Sequence, residues 1–473
     1  MAPAASHASG AAALFAECDK TGVARWRAVL HAALRGRSHP VLVFPEATTT
    51  AASLWAASRL WVALFRSHGV RAGDRVVLSR GPDAGFLAFL AAALWEGLTV
   101  AVVPPGSEEG ALEFFDARLM LGRGALDADG AGCPLGNETL RSARGPAHAD
   151  VRLLLRSSGT SGRPTWAALS DDNLWSVLDS HEPCLAGARD AVLSVLPWHH
   201  AFGLVLDVLP ALLRSRCVVR ESSQGRDAAS MIRAASEWKV SWCSMVPLQA
   251  ERLAMLPDGP RMLRRLRGGV VGGAPVSRHL ADVLRGSSLR VGYGQTEASP
   301  GVAVGEPGDF EPGCIGLPRG CETRVDSRQS LLVRGRNVCI GTWTSAGLER
   351  LAPDRWLDTG DMVSCRAGRT LFAGRADSSF KLANGRMVHS PLIEQALREA
   401  DGRLVDAAVV PSGSDRIRVF LVFNRADEEP DINAVKRALG ALSDRLESVQ
   451  VRAEGPALRT PKGALDRVRL LAA

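Results

Sequence analysis

Apolar positions in the first third of the chain come in two spacings. The short valine-rich runs "GDRVVLS" (73–79) and "TVAVVP" (99–104) have the length and β-branching of buried strands. Between them "DAGFLAFLAAALWEG" (83–97) predicts a buried helix. Strand, helix, strand is the grammar of a parallel sheet. A polar, glycine-rich stretch before Val151 predicts a loop, and the alternation then resumes up to about residue 374. There "AVLSVLP", "RCVVRE", "VSWCSMVP" and "RGGVVGG" predict strands, with helices between them. After Gly313 the strands shorten ("TRVDSRQSLLVRG", "RWLDTGDMVSC", "RTLFAG"). The tail from about 378 predicts helices at "PLIEQALREA" and "INAVKRALGALSDRL", and strands at "DAAVVP", "IRVFLVF" and near "SVQVRAE". The pattern therefore predicts an α/β protein. A large N-terminal domain (1–374) carries parallel sheets and a β-rich subdomain. A hinge at 375–377, within "GRADSSF" and containing Asp377, leads to a small α+β domain (378–473).

Composition narrows the class. A chain of 473 residues, 46% hydrophobic and 23% charged, has room for two or three globular domains. Only Lys20, Lys239, Lys381, Lys436 and Lys462 are lysines. Every other basic residue is a scattered arginine, so the net charge of +7 does not announce a nucleic-acid partner. The nine cysteines form no C-x-x-C pair, and no histidine pair lies at zinc spacing, which predicts reduced, buried thiols in a cytoplasmic protein. The start, "MAPAASHASGAAALFAECDK", lacks the basic end and apolar core of a secretion signal. No apolar run reaches the ~20 residues of a membrane span, and the longest is interrupted by Glu96.

Three stretches could carry chemistry. "SSGTSG" (157–162) offers hydroxyls at Ser157, Ser158, Thr160 and Ser161. Gly159 and Gly162 would let backbone N–H groups approach an anion. An ordinary turn between strands reads the same way, and the P-loop spacing is absent. "VGYGQTEAS" sets Tyr293, the only tyrosine, beside Gly294, Thr296 and Glu297. A ring, a hydroxyl and a carboxylate suit a base, a phosphate and a magnesium ion, although a decorated turn would look alike. "RWLDTGD" places Asp358 and Asp361 around a glycine turn, where a carboxylate can accept both hydroxyls of a ribose. A polar hairpin turn is the plainer alternative.

Order adds what the single motifs lack. "SSGTSGRP", "LPWHHAFGL", "VVGGAPVS", "GYGQTE", "GCIGLPRG", "RWLDTGD", "GRADSSFKLANGRMV" and "TPKGALDR" follow one another over roughly residues 40 to 470. This series resembles the adenylate-forming superfamily, which includes acyl-CoA synthetases, peptide-synthetase adenylation domains and luciferases. The resemblance implies activation of a carboxylic acid by ATP and Mg2+ to an acyl-adenylate. Transfer to a thiol or amine follows, and the C-terminal domain acts as a rotating lid. It implies that the Ser157–Gly162 loop cradles the β,γ-phosphates. Gly272, Gly273 and Ala274 line the adenine and acyl slot, Tyr293 stacks on adenine, Thr296 touches phosphate and Glu297 holds magnesium. It further implies that Asp361 binds the ribose hydroxyls, that Arg375 approaches them from the hinge, and that His200 gates the acyl pocket. A packed core histidine is the alternative for His200. Lys381 matches the segment that faces the site in the second half-reaction.

The chain departs from the family pattern at three points. Thr165 stands where the phosphate loop carries lysine, and Ala464 where the tail carries its catalytic lysine. "RQSLLVRG" lacks a customary Gly-Glu pair. Lys462 lies two residues upstream of Ala464, a displacement of about 6–7 Å along a strand, and either replaces that lysine or is a surface residue. Three readings stay open. They are a working acid ligase, a homologue with impaired adenylation that only transfers acyl groups from a preformed acyl-AMP or thioester, and a non-catalytic nucleotide- or acyl-binding protein. Gly203 after Phe202, where amino-acid-activating relatives have aspartate, and the apolar "AFGLVL", "CSMVPLQ" and "VVGGAP" predict a fatty, aryl or other non-amino acid. The acceptor would be coenzyme A, an amine, or phosphopantetheine on a carrier protein supplied in trans.

Overall fold

The computed structural model describes residues 22–44, 47–122, 147–157, 165–185, 191–214, 216–221, 223–383, 386–413, 415–458 and 465–472. The helix Ala84–Glu96 shows why the first α/β unit forms. Asp83 caps it by accepting the Phe86 N–H at 2.8 Å, and Gly97 ends it in a left-handed conformation. Its residues from Gly85 to Leu94 are all buried, because helices pack on one side of it and the sheet on the other. The strands Arg75–Leu78, Thr99–Val102, Leu119–Leu121 and Leu153–Ser157 pair in parallel, as their valine- and leucine-rich runs predict.

That sheet has seven strands. Beyond Leu153–Ser157 it continues antiparallel through Thr165–Leu169, Gly341–Thr344 and Gly347–Arg350. A second, mixed sheet of four strands carries Pro40–Phe44, Cys217–Val219 and Ala191–Leu193. A third joins Val270–Gly272, Arg290–Gly294, Gly301–Val304 and Leu317–Pro318. The β-rich part is an antiparallel sheet of Glu322–Val325, Ser330–Arg334, Leu357–Arg366 and Arg369–Arg375. The C-terminal part is α+β. The strands Asp406–Ser412, Arg416–Phe423 and Leu446–Ala453 have their own core with the helices Ser390–Ala400 and Ile432–Leu439. The helix Ser390–Ala400 also packs on the antiparallel sheet, with Pro391 close over Gly374 and Gln395 bonded to Ser364.

Four expectations are corrected. The strand expected at "RWLDTGDMVSC" forms, but "RWLDTGD" is no turn: Asp358 and Asp361 lie on the single strand Leu357–Arg366, kinked where Gly360 takes φ +68°. "VSWCSMVP" forms only isolated bridges, through Trp242 and Met245. "INAVKRALGALSDRL" is no single helix, since Gly440, at φ +54°, ends it at Leu439 and a 3₁₀ turn follows. Not every thiol is buried: among the described residues Cys365 is exposed, and no cysteine there is in a disulfide. No described helix is long and apolar enough to cross a membrane.

Candidate active site

The site starts at the neck of the hydroxyl-rich loop. Ser157 ends one strand and Thr165 begins the next, directly opposite, and their hydroxyls bond at 2.7 Å. Ser158, Gly159, Thr160, Ser161 and Gly162 lie outside the described residues. Thr165, where the resemblance expects a lysine, thus closes the loop's base. The turn Thr296–Ala298 packs against both flanking strands. The Glu297 carbonyl accepts the Cys339 N–H at 2.8 Å, and the Thr296 and Glu297 side chains are half-buried. These three elements meet although they are far apart in sequence.

Beside this lies a partly open cavity of about 50 Å³. Phe202, Leu206, Leu185 and Val304 give it apolar surface, and Gly272, Gly273, Tyr293 and Gly294 form another part of its wall. The glycine at 272 follows from close backbone approach, because a β-carbon there would stand 2.5 Å from the Gly292 carbonyl oxygen. Asn337, buried, holds the wall by donating to the Gly301 carbonyl at 2.8 Å. Ala274 is half-buried just beyond the wall. "CSMVPLQ" contributes none of the lining residues.

Tyr293 connects cavity and carboxylate. Its hydroxyl donates to Asp361 Oδ2 at 2.5 Å, while Arg375 Nη1 donates to Oδ1 at 2.7 Å and to the Thr359 carbonyl at 3.0 Å. Asp361 is only 5% exposed. Burial raises its carboxyl above the usual range, and the Arg375 charge and the Tyr293 bond oppose that rise. Burial, and then the adjacent carboxylate, push the Tyr293 hydroxyl well above its ordinary value, so it stays a donor. An ionised carboxylate has about four acceptor positions. Among the described residues two are used by side-chain donors, and the acceptors left over suit the donor hydroxyls of a ribose diol. Glu297 alone does not make a metal cage: among the described residues no group of three or more His, Cys, Asp and Glu side chains could hold an ion. A magnesium ion here fits only if phosphate oxygens complete its coordination.

The structure does not bring every predicted residue to this place. His200 is exposed at the start of the short helix Ala201–Gly203, its ring 4.5 Å from that of His199, and it is no packed core histidine. Phe202, two residues on, lines the cavity instead. Lys381 is exposed on the strand Phe380–Lys381, and Asp377 is exposed in the turn Ala376–Ser378. Lys462 and Ala464 lie outside the described residues.

The sequence reading missed His181, which caps the helix Asp171–Ser180 at its C-terminus and lines the cavity at 2% exposure. Burial, with a smaller contribution from the Arg319 charge, lowers its ring to about 4. A ring depressed below its unfolded value of 6.5 contributes stability that is present above pH 6.5 and lost as pH falls through about 4. His181→Gln should therefore narrow the gap between the melting temperatures at pH 7 and pH 4.5. Calorimetric melts of both proteins at the two pH values check this.

The AMP-binding enzyme family profile matches residues 124–341. Among curated proteins, a long-chain-fatty-acid–CoA ligase of Yersinia pestis is 27% identical over 311 residues, 60% of this chain and 55% of that protein. A feruloyl-CoA synthase of Amycolatopsis is 30% identical over 233 residues, 46% of this chain and 47% of that one. The chain thus aligns with about half the length of these relatives. Among solved structures, ATP-bound MatB of Rhodopseudomonas palustris superposes with a TM-score of 0.71 at 21% identity, covering 97% of this chain and 98% of that one. The anthranilate CoA ligase AuaEII in complex with anthranoyl-AMP gives 0.68 at 20% identity over 96% and 97%. At these identities the superpositions establish the fold.

Proposed function

We propose, on the premise that the chain belongs to the adenylate-forming superfamily through its AMP-binding enzyme domain, that it activates a non-amino carboxylic acid with ATP. One observation carries the reading: Tyr293 both lines an apolar cavity and holds the buried carboxylate of Asp361. A pocket for an acyl group and a grip for a ribose are then contiguous.

In the first step an oxygen of the carboxylate attacks the α-phosphorus, and the bond to the leaving pyrophosphate breaks. In the second, a thiol sulfur, having lost its proton, attacks the acyl carbon and AMP departs. Asp361 would take the ribose hydroxyls, with Arg375 holding that carboxylate in place. The Tyr293 ring would flank adenine beside Gly272, Gly273 and Ala274. Thr296 and the 157–162 loop would bind phosphate oxygens. Glu297 would hold magnesium, whose charge offsets that of the phosphates. His200 would act at the mouth of the acyl pocket rather than in its wall. Residues 375–377 would be the hinge between 1–374 and a lid of 378–473, which turns Lys381 toward the site for transfer. Relatives named as long-chain-fatty-acid, indoleacetate and sulfoacetate CoA ligases support coenzyme A as the acceptor, and the first two support a fatty or aryl acid as the substrate. A carrier-bound phosphopantetheine is the other thiol of this chemistry.

A second reading, in which only acyl transfer survives, is favoured by the engaged Thr165 hydroxyl and by Ala464. ATP–pyrophosphate exchange with a panel of fatty and aryl acids separates the two, because only the first reading predicts acid-dependent exchange. If Lys462 supplies the missing charge, Lys462→Ala should cut that exchange at least tenfold. An unchanged rate removes Lys462 from the reaction.

A further inference from the structure

His181 presents an acceptor that no described residue uses. Its Nδ1 lies 3.1 Å from the Val177 carbonyl oxygen, which can only accept, and 3.0 Å from the Ser180 hydroxyl, which can accept as well, and a proton on Nδ1 satisfies both contacts. The neutral ring then carries a lone pair on Nε2. That atom is buried and has no hydrogen-bond partner among the described residues. Its edge faces Gly301 in the cavity wall, where a β-carbon would stand 2.5 Å from both Cε1 and Nε2. With no side chain at 301, only the Gly301 backbone lies against that edge, and Asn337 holds it there. The neighbouring wall, from Leu185, Phe202 and Leu206, offers carbon alone. A buried acceptor without a donor is costly, and a ligand that brings the donor gains what the empty site lacks.

We infer that His181 Nε2 selects the acid: it accepts a hydrogen bond from a hydroxyl or amino group carried on the substrate's acyl portion, so the preferred acids are hydroxy- or amino-substituted aryl acids. This deepens the acid-activating reading and rests on it. A site built around one polar atom rejects the analogue that lacks the matching group more strongly than a purely apolar pocket rejects a change in size. A methyl ether at the same ring position cannot donate, and it separates donation from mere bulk.

The test measures binding by calorimetry, so that it does not depend on turnover. Benzoate is compared with its ortho, meta and para hydroxy, amino and methoxy derivatives, in the presence of AMP. At least one hydroxy or amino isomer should bind tenfold or more tighter than both benzoate and its own methyl ether. His181→Phe should bring that ratio to about one, and His181→Gln, which keeps an oxygen acceptor near the Nε2 position, should restore part of it. Gly301→Ala, whose β-carbon would press on the same ring edge, should also lower the ratio while leaving the identity of residue 181 unchanged. Acids that bind without any preference for donors overturn this inference and leave the acid-activating reading standing. A donor preference that survives His181→Phe overturns it as well. Failure of every acid to bind overturns both.

Discussion

Replacing Asp361 by alanine should weaken ATP and AMP binding about a hundredfold, close to 2.8 kcal/mol at 1.4 kcal/mol per tenfold. Two hydrogen bonds to the ribose would be lost, each to a charged acceptor and so stronger than a neutral one. The substitution also strands the groups that Asp361 organises. The Tyr293 hydroxyl loses its 2.5 Å acceptor, and Arg375 keeps its bond to the Thr359 carbonyl. Tyr293 is then free to leave the cavity wall, so acid and nucleotide should both bind less well. Asp361→Asn, which retains the shape and one carbonyl acceptor, should fall between the two. Isothermal titration with ATP and AMP, with a melt of each variant beside it, is the measurement. An affinity within a factor of two of the parent protein in a folded Asp361→Ala would end the ribose assignment.

Gly294→Ala should be the most damaging small substitution at the site. A β-carbon there would sit 1.6 Å from the Pro300 carbonyl oxygen and 2.8 Å from its carbon, and both atoms are backbone. No side chain can swing aside, so the strands Arg290–Gly294 and Gly301–Val304 must part. Forced overpacking of this kind costs on the order of 3 kcal/mol or more. It also moves Tyr293, the neighbouring residue. The expected result is a melting temperature lower by about 5 °C or more, or no recoverable folded protein, with nucleotide binding lost in what remains. Gly81→Ala is the control, because its β-carbon would meet nothing within 4 Å. Equal melting temperatures for the two variants would mean that the strands separate cheaply, and the rigid-wall picture of the cavity would have to go.

Legibility along the chain followed the range of the forces involved. The parallel strands and the helix at 84–96 were readable because their signals are local: a cap at Asp83, a left-handed Gly97, and runs of valine. The glycine within "INAVKRALGALSDRL" was local too, yet its 3.6-residue pattern continued past the break and masked it. "VSWCSMVP" has strand composition but forms only scattered bridges. Its neighbours decide the pairing, and composition does not describe them.

What the sequence by itself carried is a resemblance: the order of eight motifs, the residues from Tyr293 to Arg375 that those motifs single out, and the two departures at Thr165 and Ala464. Tertiary structure alone decided who touches whom. The hairpin Gly341–Arg350 leaves its neighbours to join the first sheet, and His181 finds its opening at Gly301, 120 positions away along the chain. Thr165, standing where the resemblance expects a lysine, bonds to Ser157 across the base of the loop. Each of these depends on a contact between distant segments. Such contacts are made by packing and close backbone approach, which leave no period or spacing in the linear order of residues.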